Sequence, residues 1–196
     1  MVRFTPTPHV DTLIDLALAE DIGCGDATAD ALIPIGSMAE MALVARESIV
    51  LCGKPVVQRV LARYGPLSMA VDWVREDGDV IEAGTVVARV RGLLSEMLIL
   101  ERTLLNFLQR MSGVATYTRR YVDAISGTSA RLVDTRKTLP GYRSLDKYAT
   151  RVGGAANHRS SLDGGVLIKD NHLAAAGGVE RAIERARAHA SHSLRI

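Results

Sequence analysis

Residues 134–172, DTRKTLPGYRSLDKYATRVGGAANHRSSLDGGVLIKDNH, decide how the rest of the chain is read. Between Arg131 and Lys169 stand eight basic residues: Arg131, Arg136, Lys137, Arg143, Lys147, Arg151, Arg159 and Lys169. Only three acids, Asp134, Asp146 and Asp163, accompany them. The local net charge is +5 in a chain of formal net +2, so everything outside the stretch nets −3. The cations fall in tight clusters, each behind a strand-like or loop-like segment. Such a layout suits a compact pocket for a polyanionic small molecule better than a broad basic face.

Working outward, ARLVD (130–134), GGVLIKDN (164–171) and SLRI (193–196) read as short apolar strands. They alternate with two helices, SLDKYATRVGG (144–154, capped by Ser144) and GGVERAIERARAHA (177–190). Strand–helix alternation of this kind predicts parallel βα units. The polar strand ends, 134–137 and 169–172, then fall on the carboxyl side, where α/β barrels and open α/β sheets place ligands. Two βα units and a fragment cannot close a barrel and leave an edge unpaired. The chain is therefore expected to be the front part of a longer protein, and inactive and aggregation-prone by itself.

Before the basic stretch, residues 9–22 carry apolar side chains at helical spacing, with Asp11 or Thr12 as the cap. GCGDATAD (23–30) reads as a polar loop, in which Asp21, Asp26 and Thr28 serve either as loop chemistry or as the border of a site. Residues 37–46 and SIVLCG (48–53) read as strands, and KPVVQRVLARYG (54–65) as a helix opened by Pro55 and closed by Gly65. SMAVDWVRE and TVVARVRG are predicted strands joined by DGDVIEAG, with Asp77-Gly78 as a hairpin signal. That hairpin also resembles lipoyl- or biotinyl-carrier domains, but these need a lysine at the hairpin tip, and none occurs between Pro55 and Leu132. Residues 93–126 form the longest periodic segment, with an apolar stripe at 94, 97, 98, 104, 105, 108 and 111. A break or kink is expected near Ser112-Gly113. Arg102, Asn106 and Gln109 share one polar face, either solvated or reserved for a ligand or partner.

Composition excludes several classes. Aromatics are 4% and Trp73 is the sole tryptophan, too few for base-stacking platforms, so no nucleic-acid partner is expected. Hydrophobic residues at 47% and charged residues at 23% suit a globular core. Cys24 and Cys52 stand apart without a CxxC, so neither a structural zinc nor a disulfide framework is expected. No leader pattern or membrane-length apolar run is present, and a cytoplasmic protein is the expectation. A P-loop, a GxGxxG and a Ser-His-Asp spacing are all missing.

At one strand end Arg136 offers a planar fork, Lys137 an aimable point charge and Thr135 a hydroxyl. His158-Arg159 follows a flexible Gly-Gly-Ala-Ala-Asn run. Lys169 sits in an apolar run, where an ammonium needs a carboxylate or an anionic ligand. Structural ion pairs, Lys169 with Asp170 or Asp134 and Arg159 with Asp163, are the alternative. Five cations with so few acids favour uncompensated charge.

ERTLLNFLQRMSGVAT (101–116), DTRKTLPGYR (134–143), KYATRVGG (147–154), NHR (157–159) and LIKDNH (167–172) together resemble the quinolinate phosphoribosyltransferases, the carboxylating nicotinate-nucleotide pyrophosphorylases. The likeness extends back through AEDIGCGDAT (19–28) and the DGDVIEAG hairpin. A molybdenum-transport-associated pyrophosphorylase shares the architecture, but DTRKTLPG and NHR favour the quinolinate enzymes. The resemblance implies an α+β N-terminal domain, a small sheet with helices over residues 1–115 including the long helix. An incomplete α/β barrel of parallel βα units would follow over 116–196. It implies phosphoribosyl transfer from 5-phosphoribosyl 1-pyrophosphate (PRPP) to quinolinate with decarboxylation, assisted by Mg2+ whose ligands lie outside this chain. It also implies a homodimer with a shared active site. Arg102 from the neighbouring subunit, Thr135, Arg136, Lys137, His158, Arg159 and Lys169 would bind substrate, Lys137 and Lys169 serving catalysis. Acidic residues at later strand ends and a Gly-rich phosphate segment, both expected in the family, are missing, so an inactive truncated product stands as the alternative.

Overall fold

A computed structural model describes residues 2–66 and 68–196. The chain forms two compact units, Met1–Asp134 with Thr138–Asn157, and Thr135–Lys137 with His158–Ile196.

The first unit opens with α1 (Pro8–Ile22) and α2 (Ala27–Leu32). The cap of α1 is Thr7, whose Oγ1 accepts from the Val10 N–H at 3.3 Å, and neither Asp11 nor Thr12 fills that role. Asp11 is drawn instead to α3 (Lys54–Tyr64), where its carboxylate takes Arg59 Nε at 2.7 Å and Nη2 at 2.6 Å. Asp15 and Arg63 pair in the same way one turn along. The expected loop at 23–30 contains α2, because Asp26 Oδ1 accepts from the Thr28 and Ala29 N–H groups, each at 3.0 Å. Capping thus accounts for Asp26, while Asp21 accepts from Thr103 Oγ1 at 3.3 Å.

Three strands, β1 (Met38–Val44), β3 (Ala70–Trp73) and β5 (Val86–Leu93), make an antiparallel sheet in the order β1-β5-β3. The expected pairing of the two strands flanking DGDVIEAG is present, from Ala70↔Arg91 to Trp73↔Ala88. Asp77-Gly78 does not make a tight hairpin, however. The connection folds out into β4 (Val80–Ile81), which pairs with β2 (Ile49–Val50). Asp77 is held away from a hairpin tip because its carboxylate caps α3 from outside, accepting from the Gly53 and Lys54 N–H groups at 3.0 Å. Gly53, at φ 129°, gives α3 no side-chain cap of its own. Tyr148 donates its hydroxyl to Asp77 at 2.8 Å. Burial, reinforced by the Asp77 charge, pushes that phenol up, so it stays a donor.

Helix α4 (Leu94–Ala124) runs 31 residues with no break at Ser112-Gly113. Ser112 does not disrupt it because its hydroxyl faces β2, accepting from the Cys52 N–H at 3.0 Å and donating to the Cys52 carbonyl at 3.1 Å. Thr116 Oγ1 accepts from the Val50 N–H at 2.8 Å. The buried face is broader than the expected stripe. Leu100 and Phe107 are buried, whereas Leu98 and Leu105 are only half-buried. Leu100, Phe107, Met111 and Ala115 join α1, α3 and α5 (Arg143–Val152) in one core cluster. Leu108 joins Leu51, Ile81 and Val87 in a second. Helix α5 is capped at Tyr142, not Ser144, since the Asp146 N–H already reaches the Tyr142 carbonyl at 2.9 Å.

Of the expected strand 130–134, one parallel bridge forms, Val133↔Ala156, with Asp134 N–H to Ala156 O at 3.1 Å. In the second unit, 164–171 and 193–196 form no ladder, and Val166 N–H to Arg195 O at 2.8 Å joins them once. A strand needs a continuous row of partner groups, and a single hydrogen bond does not make one. The polar end of the apolar run turns into helix α6 (Asp170–Ala176), where the Lys169 N–H donates to His172 Nδ1 at 3.0 Å. Helix α7 (Val179–His189) matches the expected helix. No helix among the described residues is long and apolar enough to cross a membrane.

Two outcomes follow. Ser112→Ala orphans a buried N–H and carbonyl at Cys52 and should lower stability by about 1–3 kcal/mol in urea unfolding; an unchanged midpoint would mean water replaces the hydroxyl. The Arg59 hydrogen bond holds the Asp11 carboxyl below its ordinary value. Its stabilisation is therefore complete above about pH 4 and is lost as pH falls through the depressed folded value. Asp11→Asn should lower the neutral-pH midpoint and flatten the decline in acid; parallel curves for both proteins would contradict this.

Candidate functional site

Thr135, Arg136, Lys137, His158, Arg159 and Lys169 all belong to the second unit. Arg102 belongs to the first, exposed on α4 along with Asn106 and Gln109. Thr135 Oγ1 accepts from the Lys137 N–H at 3.0 Å, a local turn that sets the direction in which Arg136 and Lys137 leave the backbone. Arg136 is half-buried and Lys137 exposed.

Arg159 is held by backbone carbonyls. Its Nη1 donates to the Gly165 carbonyl at 2.5 Å and to the Leu162 carbonyl at 3.4 Å, while its Nε is shielded from solvent without an acceptor. Gly164 and Gly165 allow this wrapping. A Cβ on Gly164 would lie 3.2 Å from the Arg159 Cβ, and Gly165 sits at φ 150°. Arg159 also borders a cavity of about 360 Å³ whose wall includes Ile168, His172 and Leu194. Lys169 is exposed at the start of α6 and not in a strand, so burial imposes no cost on its ammonium.

Two of the three acids named as alternative partners are engaged by other groups. Asp163 accepts from Ser161 Oγ. Asp134 takes the Lys147 ammonium at 2.6 Å, with both side chains under 10% exposed. Lys147, counted with the cationic cluster from sequence, is thereby withdrawn from any ligand.

A second group escaped the sequence. Arg110 Nη2 lies 3.2 Å from both oxygens of Asp146, and its guanidinium is 5.9 Å from the Tyr142 ring centroid. Tyr142 in turn stacks on Phe107, and Asp146 accepts from the Leu139 N–H at 3.4 Å. His9 Nε2 meets the Gly141 carbonyl at 3.1 Å from the other side. The TLPGY segment that follows Lys137 is thus pinned by α1, α4 and α5. Contacts spanning 36 and 132 residues leave no local pattern by which sequence could have found them.

Chemically, the second unit offers guanidinium forks, ammonium groups, an imidazole and a hydroxyl, which suit a ligand carrying several anionic oxygens. Among the described residues no group of three or more His, Cys, Asp or Glu could hold a metal ion.

Comparison with known proteins places these residues in a family. The model of the quinolinate phosphoribosyl transferase N-terminal domain matches residues 26–112, and that of the C-terminal domain residues 114–196. The NadC structure from Streptococcus pyogenes superposes with TM-score 0.90 at 38% identity, covering 96% of this chain and 68% of that one. The nicotinate-nucleotide pyrophosphorylase from Francisella tularensis gives 0.91 at 35%, covering 98% and 68%. A probable nicotinate-nucleotide pyrophosphorylase (carboxylating) from Synechocystis is 42% identical across 100% of this chain and 66% of its own length. The chloroplastic enzyme of that name from Arabidopsis thaliana is 42% identical over 91% of this chain and 51% of its own length. The chain therefore spans about half to two thirds of these curated relatives. With both domain models matched in order and the same fold in solved relatives, the chain belongs to the quinolinate phosphoribosyltransferase family.

Proposed function

We propose that this chain carries the quinolinate-binding part of a carboxylating nicotinate-nucleotide pyrophosphorylase, which joins quinolinate to PRPP and releases nicotinate mononucleotide, pyrophosphate and CO2. The supporting observation is that Arg136, Lys137, His158, Arg159 and Lys169 gather in one unit while Asp134 and Asp163 are engaged by Lys147 and Ser161. Two ring carboxylates and a phosphorylated sugar meet such a set as fork-to-oxygen and ammonium-to-oxygen contacts.

In the proposed reaction the pyridine nitrogen attacks the anomeric carbon, forming the C–N bond as the bond to pyrophosphate oxygen breaks. The ring nitrogen, now cationic, stabilises the electron pair left on the adjacent ring carbon when its carboxylate departs as CO2, and that carbon then takes up a proton in the carboxylate's place. Lys137 and Lys169 would face the developing negative charge, and no protein nucleophile is required. Positioning and charge stabilisation of this kind supply on the order of 10 kcal/mol. Mg2+ is expected with the diphosphate, and no group of three or more His, Cys, Asp or Glu that could hold it stands among the described residues.

The same reading takes residues 1–115 as the N-terminal domain and 116–196 as the beginning of a parallel α/β barrel. It takes the working form as a cytoplasmic homodimer in which Arg102 reaches the neighbouring subunit's site. Arg136→Ala and Lys169→Ala should each weaken quinolinate binding roughly 10- to 100-fold in calorimetry, the loss expected for a charged hydrogen bond. Unchanged affinity in both would return these cations to a structural role and sink the proposal.

A further inference from the structure

Asp134 and Asn157 are the residues at which the chain leaves the first unit, each followed at once by a cationic motif, Thr135-Arg136-Lys137 and His158-Arg159. They are joined to each other. Asp134 Oδ1 accepts from Lys147 Nζ at 2.6 Å, and Oδ2 accepts from Asn157 Nδ2 at 2.7 Å. The same amide donates to the Lys147 carbonyl at 2.9 Å. Beneath them the stems are tied by the Val133↔Ala156 bridge. A single desolvated carboxylate therefore holds both stems to one residue of α5, its side chain 9% exposed against 6% for Lys147.

Stability alone does not explain a buried ion pair here, since apolar side chains of similar size commonly pack as well. What a carboxylate adds is direction, because its two oxygens take donors at defined angles. Direction matters at this place. The two motifs carry like charges that repel, and a pocket for a rigid dianion requires their separation to be held. In the clamp the charge of Asp134 is met by the Lys147 ammonium at 2.6 Å.

We propose that Asp134, Lys147 and Asn157 are positioning residues that set the spacing of the two cationic motifs, and through it the affinity for the dicarboxylate substrate. The substrate half of this statement rests on the function proposed above; the clamp does not. Asn157 is exposed, so Asn157→Ala removes one arm while leaving the buried ion pair and the core in place. In the full protein its melting temperature should stay close to the parent's. Amide exchange should quicken in both 135–137 and 158–161. Quinolinate affinity should fall roughly 10- to 100-fold, the cost of a misplacement near 1 Å, with KM raised more than kcat is lowered. Asn157→Gln, which carries the amide one methylene too far, should give a smaller loss on the same readouts and serves if the alanine variant does not fold. Parent-like quinolinate affinity in these variants, or unchanged exchange in both segments, would overturn the proposal. If the parent itself fails to bind quinolinate while exchange still quickens in both motifs, the substrate reading falls and the clamp stands.

Discussion

Strand β2 is two residues long, and the hydroxyls of Ser112 and Thr116 on α4 satisfy the backbone groups at Cys52 and Val50. Much of the first unit depends on that contact. It fixes the rotation of a 31-residue helix about its axis, and the rotation decides what every other face of the helix meets. One flank takes Leu100, Phe107, Met111 and Ala115 into the helical core; another sends Leu108 toward the strands. Leu100, Phe107, Met111 and Leu108 each contribute about 1.5–3 kcal/mol on burial. The approach of α5 is just as constrained. A Cβ on Gly153 would stand 2.6 Å from the Ala115 carbonyl oxygen and from the Thr118 Cβ, so only glycine permits that contact.

Fixing α4 also fixes the polar parts. Arg110 is presented to Asp146 and Tyr142, and through them to the TLPGY segment. Arg102 is left on the exposed face eight positions earlier. Helix α5 in turn brings Lys147 to Asp134 and Tyr148 to Asp77. Asp77, Asp134 and Asp146 thus each tie two or more segments together, and each has a partner more than 20 residues away in sequence.

That is why the sequence was legible unevenly. Periodicity located α1, α3, α4, α5 and α7, since each buries a stripe that shows in the spacing of its apolar residues. It failed where a side chain had competing uses. Asp11 looked like a cap but is taken by Arg59, and Asp26 looked like loop polarity but is a cap. Ser112-Gly113 looked like a break because the partner that occupies the serine lies 60 residues away. Runs 130–134 and 164–171 have the apolar character of strands, yet a strand exists only when a neighbour supplies its hydrogen bonds, and here only one bridge does. In the site, residue types revealed the cationic excess directly. That Lys147 is consumed by Asp134 is a tertiary fact, invisible to any count of charges.

The proposed chemistry places a further demand on such a site. In it, positive charge would develop on the sugar and then on the ring nitrogen, beside side chains that are themselves cationic and by themselves would oppose it. Two carboxylates and the phosphates must therefore neutralise the cations before the bond to pyrophosphate breaks, so the substrates themselves complete the electrostatic environment. A cationic set whose spacing is held by a neutral clamp suits this requirement, because the clamp supplies geometry without adding net charge of either sign. Were Asp134 unpaired and facing the motifs instead, it would compete with the substrate carboxylates for the same donors. The 2.6 Å contact to Lys147 meets the charge of Asp134 and so lessens that competition.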